Sequence, residues 1–327
     1  MRAPYHTDRR RLSVAPMMDY TDRHLRYQLR LISKHVTLFT EMVTTGAVLR
    51  GDRRMLLEHA QEEHPVALQL GGDDAGALAE CAAIAEEWGY DEVNLNCGCP
   101  SDRVVSGAFG ASLMRTPAKV ADALAAMAKA TKLPVSVKHR IGVDDLDSYE
   151  HMDGFVRTVA DAGCTRFTVH ARKAWLQGLS PHQNRTIPPL RYEDVYRLKA
   201  AYPHLWIEIN GGITSLDAAE AHLGRVDSVM IGRWFMDDPF GLADVDSRIY
   251  GDPTPPPTRE EVARKMADYA TQDLGPGFKP RHALRHLLPL FNGLPGARIW
   301  RRTLTEGMTA GVPPRELVED ALTRRSP

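Results

Sequence analysis

Short apolar segments alternate with longer amphipathic segments along most of the chain. The short segments predict eight strands, at Arg11–Met17, Thr37–Glu41, Pro65–Leu70, Glu92–Asn96, Pro134–Lys138, Arg166–His170, Trp206–Asn210 and Ser228–Gly232. The longer segments carry apolar residues three and four positions apart and predict helices, among them Ala77–Trp88, Ala118–Ala130, Met152–Ala162, Tyr192–Ala201 and Leu216–Leu223. This alternation predicts an α/β protein built on a (β/α)8 TIM barrel, which typically takes about 250 residues.

The main alternative is a doubly wound parallel sheet. Such a sheet usually carries a glycine-rich phosphate-binding turn after its first strand. Here the first strand runs into Ala15-Pro16-Met17-Met18-Asp19, which contains no glycine. The barrel is therefore favoured.

The C-terminal part of the chain has a different pattern. Residues Gly251–Pro257 are rich in proline and predict a stiff linker. Helical periodicity then continues to the end without further strand signals. We predict two domains, a catalytic barrel over residues 1–250 and a bundle of three or four helices over residues 251–327.

Charge is unevenly distributed although the formal net charge is only −1. From Pro257 onward there are 12 Lys and Arg residues against 8 Asp and Glu residues. The stretch Lys279–Arg302 contains six basic residues and no acidic one. This favours a polyanionic partner for the helical domain, with a solvated helix face as the alternative.

The chain has only four cysteines, too few for a disulfide scaffold. Cys81 and Cys164 lie in helical or glycine-flanked patterns and are expected to be buried. The first residues lack the apolar core of an export signal, and no apolar run approaches about 18 residues. We expect a cytoplasmic protein with no membrane segment, and we infer no obligate protein partner.

Polar and glycine residues follow nearly every predicted strand, where barrel enzymes carry their chemistry. Asn210-Gly211-Gly212 follows strand seven, and Gly232-Arg233 follows strand eight. Glycine backbone N–H groups and an arginine at these two strands are typical of a phosphate-binding site. Each glycine pair alone is an ordinary turn, but together they favour phosphate.

Other strand ends predict which phosphate compound binds. Lys138 and His170 would bring an ammonium and an imidazole to a flavin ring, where positive charge stabilises the reduced anion. Gln69 can offer a donor and an acceptor, and Met17 and Met18 can pack on a flat ring, although such methionines are often plain core. This set fits FMN better than a nicotinamide dinucleotide.

Cys97 and Cys99 follow the fourth strand and leave four roles open. A metal site would need a second Cys or His pair, and a disulfide at this spacing is strained. A nucleophile would need an adjacent base, and Asp102 is a more natural turn residue. A general acid is the fourth role. The residues by themselves do not distinguish these roles, and no metal is predicted.

Taken together, these segments resemble tRNA-dihydrouridine synthases from about Leu12 to the C-terminus. The matching motifs are Ala15-Pro16-Met17-Met18-Asp19-Tyr20-Thr21-Asp22, Asn94-Leu95-Asn96-Cys97-Gly98-Cys99-Pro100-Ser101-Asp102-Arg103-Val104, Lys138-His139-Arg140-Ile141-Gly142, His170-Ala171-Arg172, Asn210-Gly211-Gly212-Ile213 and Gly232-Arg233. Further segments resemble the bacterial A subgroup, which acts on uridines 20 and 20a of the tRNA D-loop: Lys173-Ala174-Trp175, Leu179-Ser180-Pro181, Asn184-Arg185 and Ile187-Pro188-Pro189-Leu190.

The resemblance implies roles for individual residues. Cys99 would be the proton donor, Asn96 would contact the target base, and tRNA would contact Arg185, Arg298 and Arg301. FMN would be held by Pro16, Met17, Met18, Gln69, Lys138, His170, Asn210, Gly211, Gly212, Gly232 and Arg233.

The implied reaction reduces uridine to 5,6-dihydrouridine, with NADPH as reductant, hydride reaching C6 and Cys99 protonating C5. One departure is Cys97, where the family usually has an apolar residue. Two rival functions remain: an FMN barrel oxidoreductase of a small molecule, similar to a dihydroorotate dehydrogenase, and a tRNA-binding or tRNA-folding protein.

Overall fold

The computed structural model describes residues 10–101, 104, 107–272, 274–275 and 277–325. Asp102, weighed above as a base, and Arg103 lie outside the described residues. Within the described part, no helix is long and apolar enough to cross a membrane.

Eight parallel strands close into a barrel in sequence order, with β1 pairing to β8. The strands are Leu12–Val14 (β1), Thr37–Thr44 (β2), Val66–Gly71 (β3), Glu92–Cys97 (β4), Val135–Arg140 (β5), Arg166–His170 (β6), Trp206–Asn210 (β7) and Ser228–Ile231 (β8). The predicted (β/α)8 barrel is confirmed, and all eight predicted strands are present.

Six predicted C-terminal strand ends differ from the structure, by one residue at β3, β4 and β8, by two at β5 and by three at β1 and β2. β1 ends at Val14, because Pro16 has no N–H with which to extend the ladder. β2 continues to Thr44 across a register shift between Phe39 and Met42, where the polar Glu41 interrupts the apolar pattern. β4 continues through Cys97 because it pairs with the residue after Lys138 on β5.

Helices surround the barrel and form the C-terminal part. They are Arg23–Ile32 (α1), Thr45–Arg50 (α2), Arg53–Leu57 (α3), Ala75–Glu87 (α4), Pro117–Ala130 (α5), Tyr149–Asp161 (α6), Tyr192–Ala201 (α7), Leu216–Leu223 (α8), Arg233–Asp237 (α9), Val245–Tyr250 (α10), Arg259–Ala270 (α11), Pro280–Leu284 (α12), Ala297–Ala310 (α13) and Pro314–Arg325 (α14). Several begin at side chains that accept backbone N–H bonds, including Asp22, Ser148, Ser215 and Thr258.

The barrel interior contains a buried ionic network as well as apolar side chains. Arg10 donates to Glu92 Oε2 at 2.7 Å and to Glu208 Oε2 at 3.3 Å, and all three side chains are fully buried. The hydroxyls of Ser13 and Thr168 also donate to Glu208, at 2.8 and 2.6 Å. The carboxylates are therefore paired and hydrogen-bonded, as burial of charge requires.

The helical part packs against α1 through aromatic and ionic contacts. Tyr27 on α1 stacks on Tyr269 of α11 with ring centroids 4.0 Å apart. Asp22, the N-cap of α1, accepts from Arg285 Nη2 at 2.6 Å and lies 3.0 Å from His286 Nε2. Burial opposes ionisation of Asp22, but the hydrogen bond and charge of His286 outweigh it and lower its pKa. These contacts fix the helices beside the loop that follows β1.

Candidate active site

The mouth of the barrel, formed by the carboxyl ends of the strands, brings together most of the predicted site residues. These are Pro16, Met17, Met18, Gln69, Asn96, Cys99, Lys138, His170, Asn210, Gly211, Gly212, Gly232 and Arg233, which lie at or directly after strand ends. Arg185 lies in the long loop after β6, residues 171–191. Arg298 and Arg301 lie instead on α13 of the helical part.

Residues 98–101, called the Cys99 turn, are held by contacts from three directions. The side-chain oxygen of Asn96 accepts the backbone N–H groups of Gly98 and Cys99, both at 3.0 Å. Arg140 Nε donates to the Gly98 carbonyl at 2.8 Å. A Cβ on Gly110 would lie 2.6 Å from the Cys99 carbonyl, so this approach requires glycine.

The two thiols of this segment differ sharply in accessibility. Cys97 is fully buried in β4, and burial raises the pKa of its thiol. Cys99 is partly exposed at the mouth, and its sulfur lies 3.4 Å from Ser101 Oγ. Cys99 is therefore the thiol of this segment that a substrate can reach. Cys81 and Cys164 are buried, as predicted.

The amides of Gln69 and Asn96 are engaged with protein partners. Gln69 Oε1 accepts from Asn96 Nδ2 at 2.7 Å, and Gln69 Nε2 donates to Asn94 Oδ1 at 2.7 Å. A primary amide has two N–H donors and two acceptor lone pairs. Gln69 thus keeps one donor and one lone pair beyond these bonds, and its orientation is fixed by them.

Lys138 and His170 stand in a strongly basic environment. Burial and the charge of Arg140 lower the pKa of Lys138 from 10.5 to about 8. Burial, Arg140 and Lys138 hold the pKa of His170 well below 6.5. The predicted cationic pair is therefore an ammonium beside a neutral imidazole near pH 7.

Two consecutive glycines after β7 bring the backbone close to His170. Gly211 has φ +119°, and a Cβ there would lie 2.7 Å from His170 Cδ2. Gly212 has φ +69°, and a Cβ there would lie 2.6 Å from Leu190 Cδ1. Side chains are excluded at both positions by conformation and by space. Asn210 donates to the Met230 carbonyl at 2.8 Å, which ties β7 to β8.

Arg140 and Asn184 are structural residues of this site that lie in the matching motifs but to which the sequence assigned no role. The Arg140 guanidinium donates to the carbonyls of Gly98, Lys173 and Asn184 at 2.8, 2.9 and 2.9 Å. The buried Asn184 side chain bonds both the N–H and the carbonyl of Trp175, at 2.8 and 2.9 Å. Arg140 therefore joins the Cys99 turn to the 171–191 loop. Its place directly after Lys138-His139 was the available clue.

The rim of the mouth exposes large apolar side chains and arginines. Met18 and Tyr20 after β1 are 51% and 49% exposed, and Ile187 in the 171–191 loop is 59% exposed. Arg185 and Arg233 are also exposed, and Arg233 Nη2 donates to the Arg185 carbonyl at 3.3 Å. Such a rim can stack on flat rings and pair with phosphates.

One cluster of potential metal ligands lies away from the mouth, at the start of the linker. It consists of His35, Asp246 and Asp252. Both carboxylate oxygens of Asp246 already accept hydrogen bonds, from Ser33 Oγ at 2.5 Å and from the Lys34 N–H at 2.7 Å.

The chemistry of the mouth fits a flavin mononucleotide. The backbone at Gly211 and Gly212 carries no side chain, because a Cβ there would meet His170 or Leu190, and Arg233 adds a positive charge for a phosphate. The Met17 side chain packs close to Gly232, since a Cβ on Gly232 would lie 3.3 Å from the Met17 sulfur. Met17 therefore gives the mouth an apolar wall.

Comparison with known proteins agrees with this geometry. The family described as dihydrouridine synthase (Dus) matches residues 13–326. The chain belongs to the dihydrouridine synthase family. Its similar relatives include tRNA-dihydrouridine(20/20a) synthases of Synechocystis sp., at 57% identity over 95% of this chain and 93% of the relative, and of Vibrio cholerae, at 52% over 96% of each. The Escherichia coli K12 protein of the same name is 54% identical over 90% of this chain and 86% of its own.

More distant solved structures share the fold of this dihydrouridine synthase. A 2-naphthoyl-CoA reductase, in complex with 2-naphthoyl-CoA, superposes with a TM-score of 0.57 at 12% identity, over 72% of this chain and 49% of its own. TcOYE with pHBA superposes with a TM-score of 0.51 at 11% identity, over 77% and 92%. At such identity the likeness shows a shared fold alone.

The lowered pKa of Lys138 gives this dihydrouridine synthase a testable pH dependence. We expect Lys138→Met to raise the free energy of unfolding of the flavin-free protein at pH 7 by about 1–3 kcal/mol, because the folded state disfavours the charge. The gain should shrink between pH 8 and 10.5, where folded Lys138 loses its proton while the unfolded lysine keeps it.

Urea unfolding at pH 7 and pH 10 measures this effect. The exposed Lys129, changed to Met, is the matched control and should alter stability little at either pH. Flavin retained after purification should fall in Lys138→Met alone. A stability gain of equal size at both pH values would contradict burial as the cause.

Proposed function

We propose that this protein reduces uridine to 5,6-dihydrouridine at positions 20 and 20a of the tRNA D-loop, with FMN as cofactor and NADPH as reductant. The observation that carries the proposal is the partly exposed Cys99 thiol at the mouth, close enough to Lys138 for the two groups to interact electrostatically. The names of the relatives, all tRNA-dihydrouridine(20/20a) synthases, support the substrate.

FMN would be held by two groups of residues at the mouth, one binding its phosphate and the other contacting its ring. Gly211, Gly212, Gly232 and Arg233 would bind its phosphate, with Asn210 fixing the backbone between them. The ring would contact Pro16, Met17, Met18, Gln69, Lys138 and His170. When bound there and reduced by NADPH, FMN would supply the hydride that uracil C6 receives.

The side chains of the protein would contribute a proton for the uracil and polar groups that orient the flavin and the base. Cys99 would donate its thiol proton to C5 of the uracil, on the side opposite to hydride delivery. Lys138 would stabilise negative charge on the ring system at its carbonyl end, while neutral His170 can donate or accept one hydrogen bond. Asn96 has one amide N–H beyond its bonds to described residues, which could reach the base.

The tRNA would bind across the mouth and the helical part. A uridine must leave its stack to enter a barrel, and exposed Tyr20, Met18 and Ile187 offer surfaces for unstacked bases. Arg185 would contact the backbone at the rim. We propose residues 1–250 as the catalytic domain and residues 251–327 as the tRNA-binding domain, acting in the cytoplasm.

The deciding experiment is to map dihydrouridine in tRNA treated with the purified protein and NADPH. Product at positions 20 and 20a supports the proposal, and an absorbance band from bound flavin supports the cofactor. A bound flavin with no dihydrouridine in any tRNA would favour the small-molecule oxidoreductase. Binding of tRNA without flavin would favour a tRNA-binding or tRNA-folding protein.

For the helical domain, we expect Arg298→Ala combined with Arg301→Ala to weaken tRNA binding and flatten its salt dependence. Both side chains are exposed on α13, although Arg301 Nη1 also donates to Asn292 at 2.6 Å. Each lost phosphate contact should reduce the slope of log K against log[salt] by about 0.7–0.9. Filter binding across a salt series measures it.

Arg324→Ala, on the exposed face of α14 and paired with Asp320 at 2.7 Å, is the matched control. Its salt slope should equal that of the wild type. If the double variant also keeps the wild-type slope, Arg298 and Arg301 face solvent only. The single Arg298→Ala variant separates phosphate contact from any effect of losing the Arg301–Asn292 bond.

A further inference from the structure

A chain of hydrogen bonds runs through the barrel interior to the Cys99 turn. Its side chains are all buried. The bonds run from Cys99 N–H to Asn96 Oδ1 (3.0 Å), Asn96 Nδ2 to Gln69 Oε1 (2.7 Å), Gln69 Nε2 to Asn94 Oδ1 (2.7 Å), Asn94 Nδ2 to Ser136 Oγ (2.8 Å) and Ser136 Oγ to Glu92 Oε1 (2.5 Å). The chain therefore joins three neighbouring strands to the turn.

All the donors in this chain point the same way, toward Glu92. An ionised carboxylate can only accept hydrogen bonds, and Arg10 keeps Glu92 paired as an anion at 2.7 Å. Ser136 must therefore donate to Glu92, which leaves its oxygen to accept from Asn94. Starting from Ser136, each hydrogen bond then fixes which end of the next amide donates and which accepts, in the order Asn94, Gln69 and Asn96.

This polarity matters at the far end of the chain. The Asn96 oxygen accepts two backbone N–H groups of the Cys99 turn. If the side-chain amides were flipped, so that every hydrogen bond ran the other way, the NH₂ group of Asn96 would face those two N–H groups. Two donors would then face each other with no acceptor. The turn that carries Cys99 would lose both hydrogen bonds. Because buried donors without an acceptor carry a large free-energy penalty, this orientation is strongly disfavoured.

We propose that Ser136 and Asn94 are positioning residues, which hold the amides of Gln69 and Asn96 in the one orientation that fixes the Cys99 turn and presents Gln69 to the flavin site. In this chain of hydrogen bonds, Ser136 and Asn94 do not bond the Cys99 turn directly. They act on it through the amides of Gln69 and Asn96. The consequence for catalysis rests on the proposed function, whereas the positioning of Cys99 does not.

Ser136→Ala tests the proposal, with Ser13→Ala as its matched control. Both serines are fully buried inside the barrel, but the Ser13 hydroxyl donates to Glu208 at 2.8 Å and has no part in the chain to Cys99. The measurement is the rate of Cys99 alkylation by iodoacetamide in flavin-free protein, located by mass spectrometry. The other three cysteines are buried and should react slowly.

We expect Ser136→Ala to change the Cys99 alkylation rate about threefold or more, from loss of hydrogen bonds that hold the turn. Ser13→Ala should keep the wild-type rate while shifting the unfolding midpoint similarly. Ser136→Thr, which restores the hydroxyl, should return the rate toward wild type. Equal alkylation rates in Ser136→Ala and Ser13→Ala would overturn the proposal.

A measurement on the wild type covers the case in which Ser136→Ala does not fold. The side-chain amide protons of Gln69, Asn94 and Asn96 should exchange with solvent far more slowly than those of exposed amides, because all three are bonded and buried. Exchange as fast as that of exposed amides would also overturn it. A wild type that makes no dihydrouridine would overturn the proposed function but leave these two results unaffected.

In the flavin-loaded enzyme, Ser136→Ala should lower kcat for dihydrouridine formation without raising KM for tRNA. The reason is that none of the five hydrogen bonds named above involves a residue of the rim. The visible flavin spectrum should shift in Ser136→Ala and not in Ser13→Ala, because the freed Gln69 amide alters the surroundings of the ring. An unchanged spectrum and unchanged kcat would contradict the proposed effect on Gln69.

Discussion

Replacing Cys99 with alanine should abolish dihydrouridine formation while leaving flavin binding and NADPH oxidation intact. The reason is that Cys99 is the accessible thiol of its segment, at the mouth, whereas flavin would be held by other strands. Loss of a general acid typically lowers the rate by about 10²–10⁴-fold. Dihydrouridine is quantified in treated tRNA, with flavin absorbance and NADPH consumption followed in parallel.

Cys97→Ala is the matched control two residues earlier. Because Cys97 is fully buried, its loss leaves a small cavity and should lower the free energy of unfolding by about 1 kcal/mol. Its dihydrouridine formation should remain close to that of the wild type at a temperature where both are folded. Retention of product by Cys99→Ala would remove Cys99 from the proton-donor role.

Arg10→Met should lower the free energy of unfolding by about 3–5 kcal/mol. Arg10 bonds both Glu92 and Glu208 inside the barrel, and none of the three side chains is exposed. Its removal leaves two buried carboxylates without their shared cation, and that loss outweighs any gain from an apolar side chain. Urea unfolding followed by circular dichroism gives the difference.

Arg11→Met, one residue along the chain, separates this effect from a change of net charge. Arg11 is exposed, so its side chain should contribute within about 0.5 kcal/mol. If the two variants were equally stable, the carboxylates of Glu92 and Glu208 would have to be compensated by their serine and threonine donors and, for Glu208, by the charge of Lys138.

The sequence predicted the barrel because each strand is a short apolar run followed by a helical period. It misplaced the end of β4, since Cys97 belongs to the ladder through its pairing with β5. That pairing depends on residues 42 positions away, which no local pattern contains. The β2 extension escaped prediction for a similar reason, because Glu41 at the register shift resembles a strand end.

The candidate site was predictable where the chemistry lies at strand ends and not where it depends on long-range contacts. Lys138, His170 and the glycines after β7 occupy positions that barrel geometry brings to one face. Ser136 and Asn94 look like ordinary strand residues, and their role arises only when three strands align. The neutral state of His170 was also not predictable from the sequence, because its lowered pKa depends on burial and on the surrounding cations.

The Arg140 guanidinium has a consequence for exchanging parts between related enzymes. It binds carbonyls in the segments that follow the two neighbours of β5, at Gly98 after β4 and at Lys173 and Asn184 in the 171–191 loop after β6. A graft that replaces this loop, in order to alter which uridine is selected, must reproduce both carbonyl positions. A graft that lost them would also disturb the Gly98 carbonyl contact beside Cys99. If this loop contacts tRNA as proposed, selectivity and turnover are therefore coupled through Arg140.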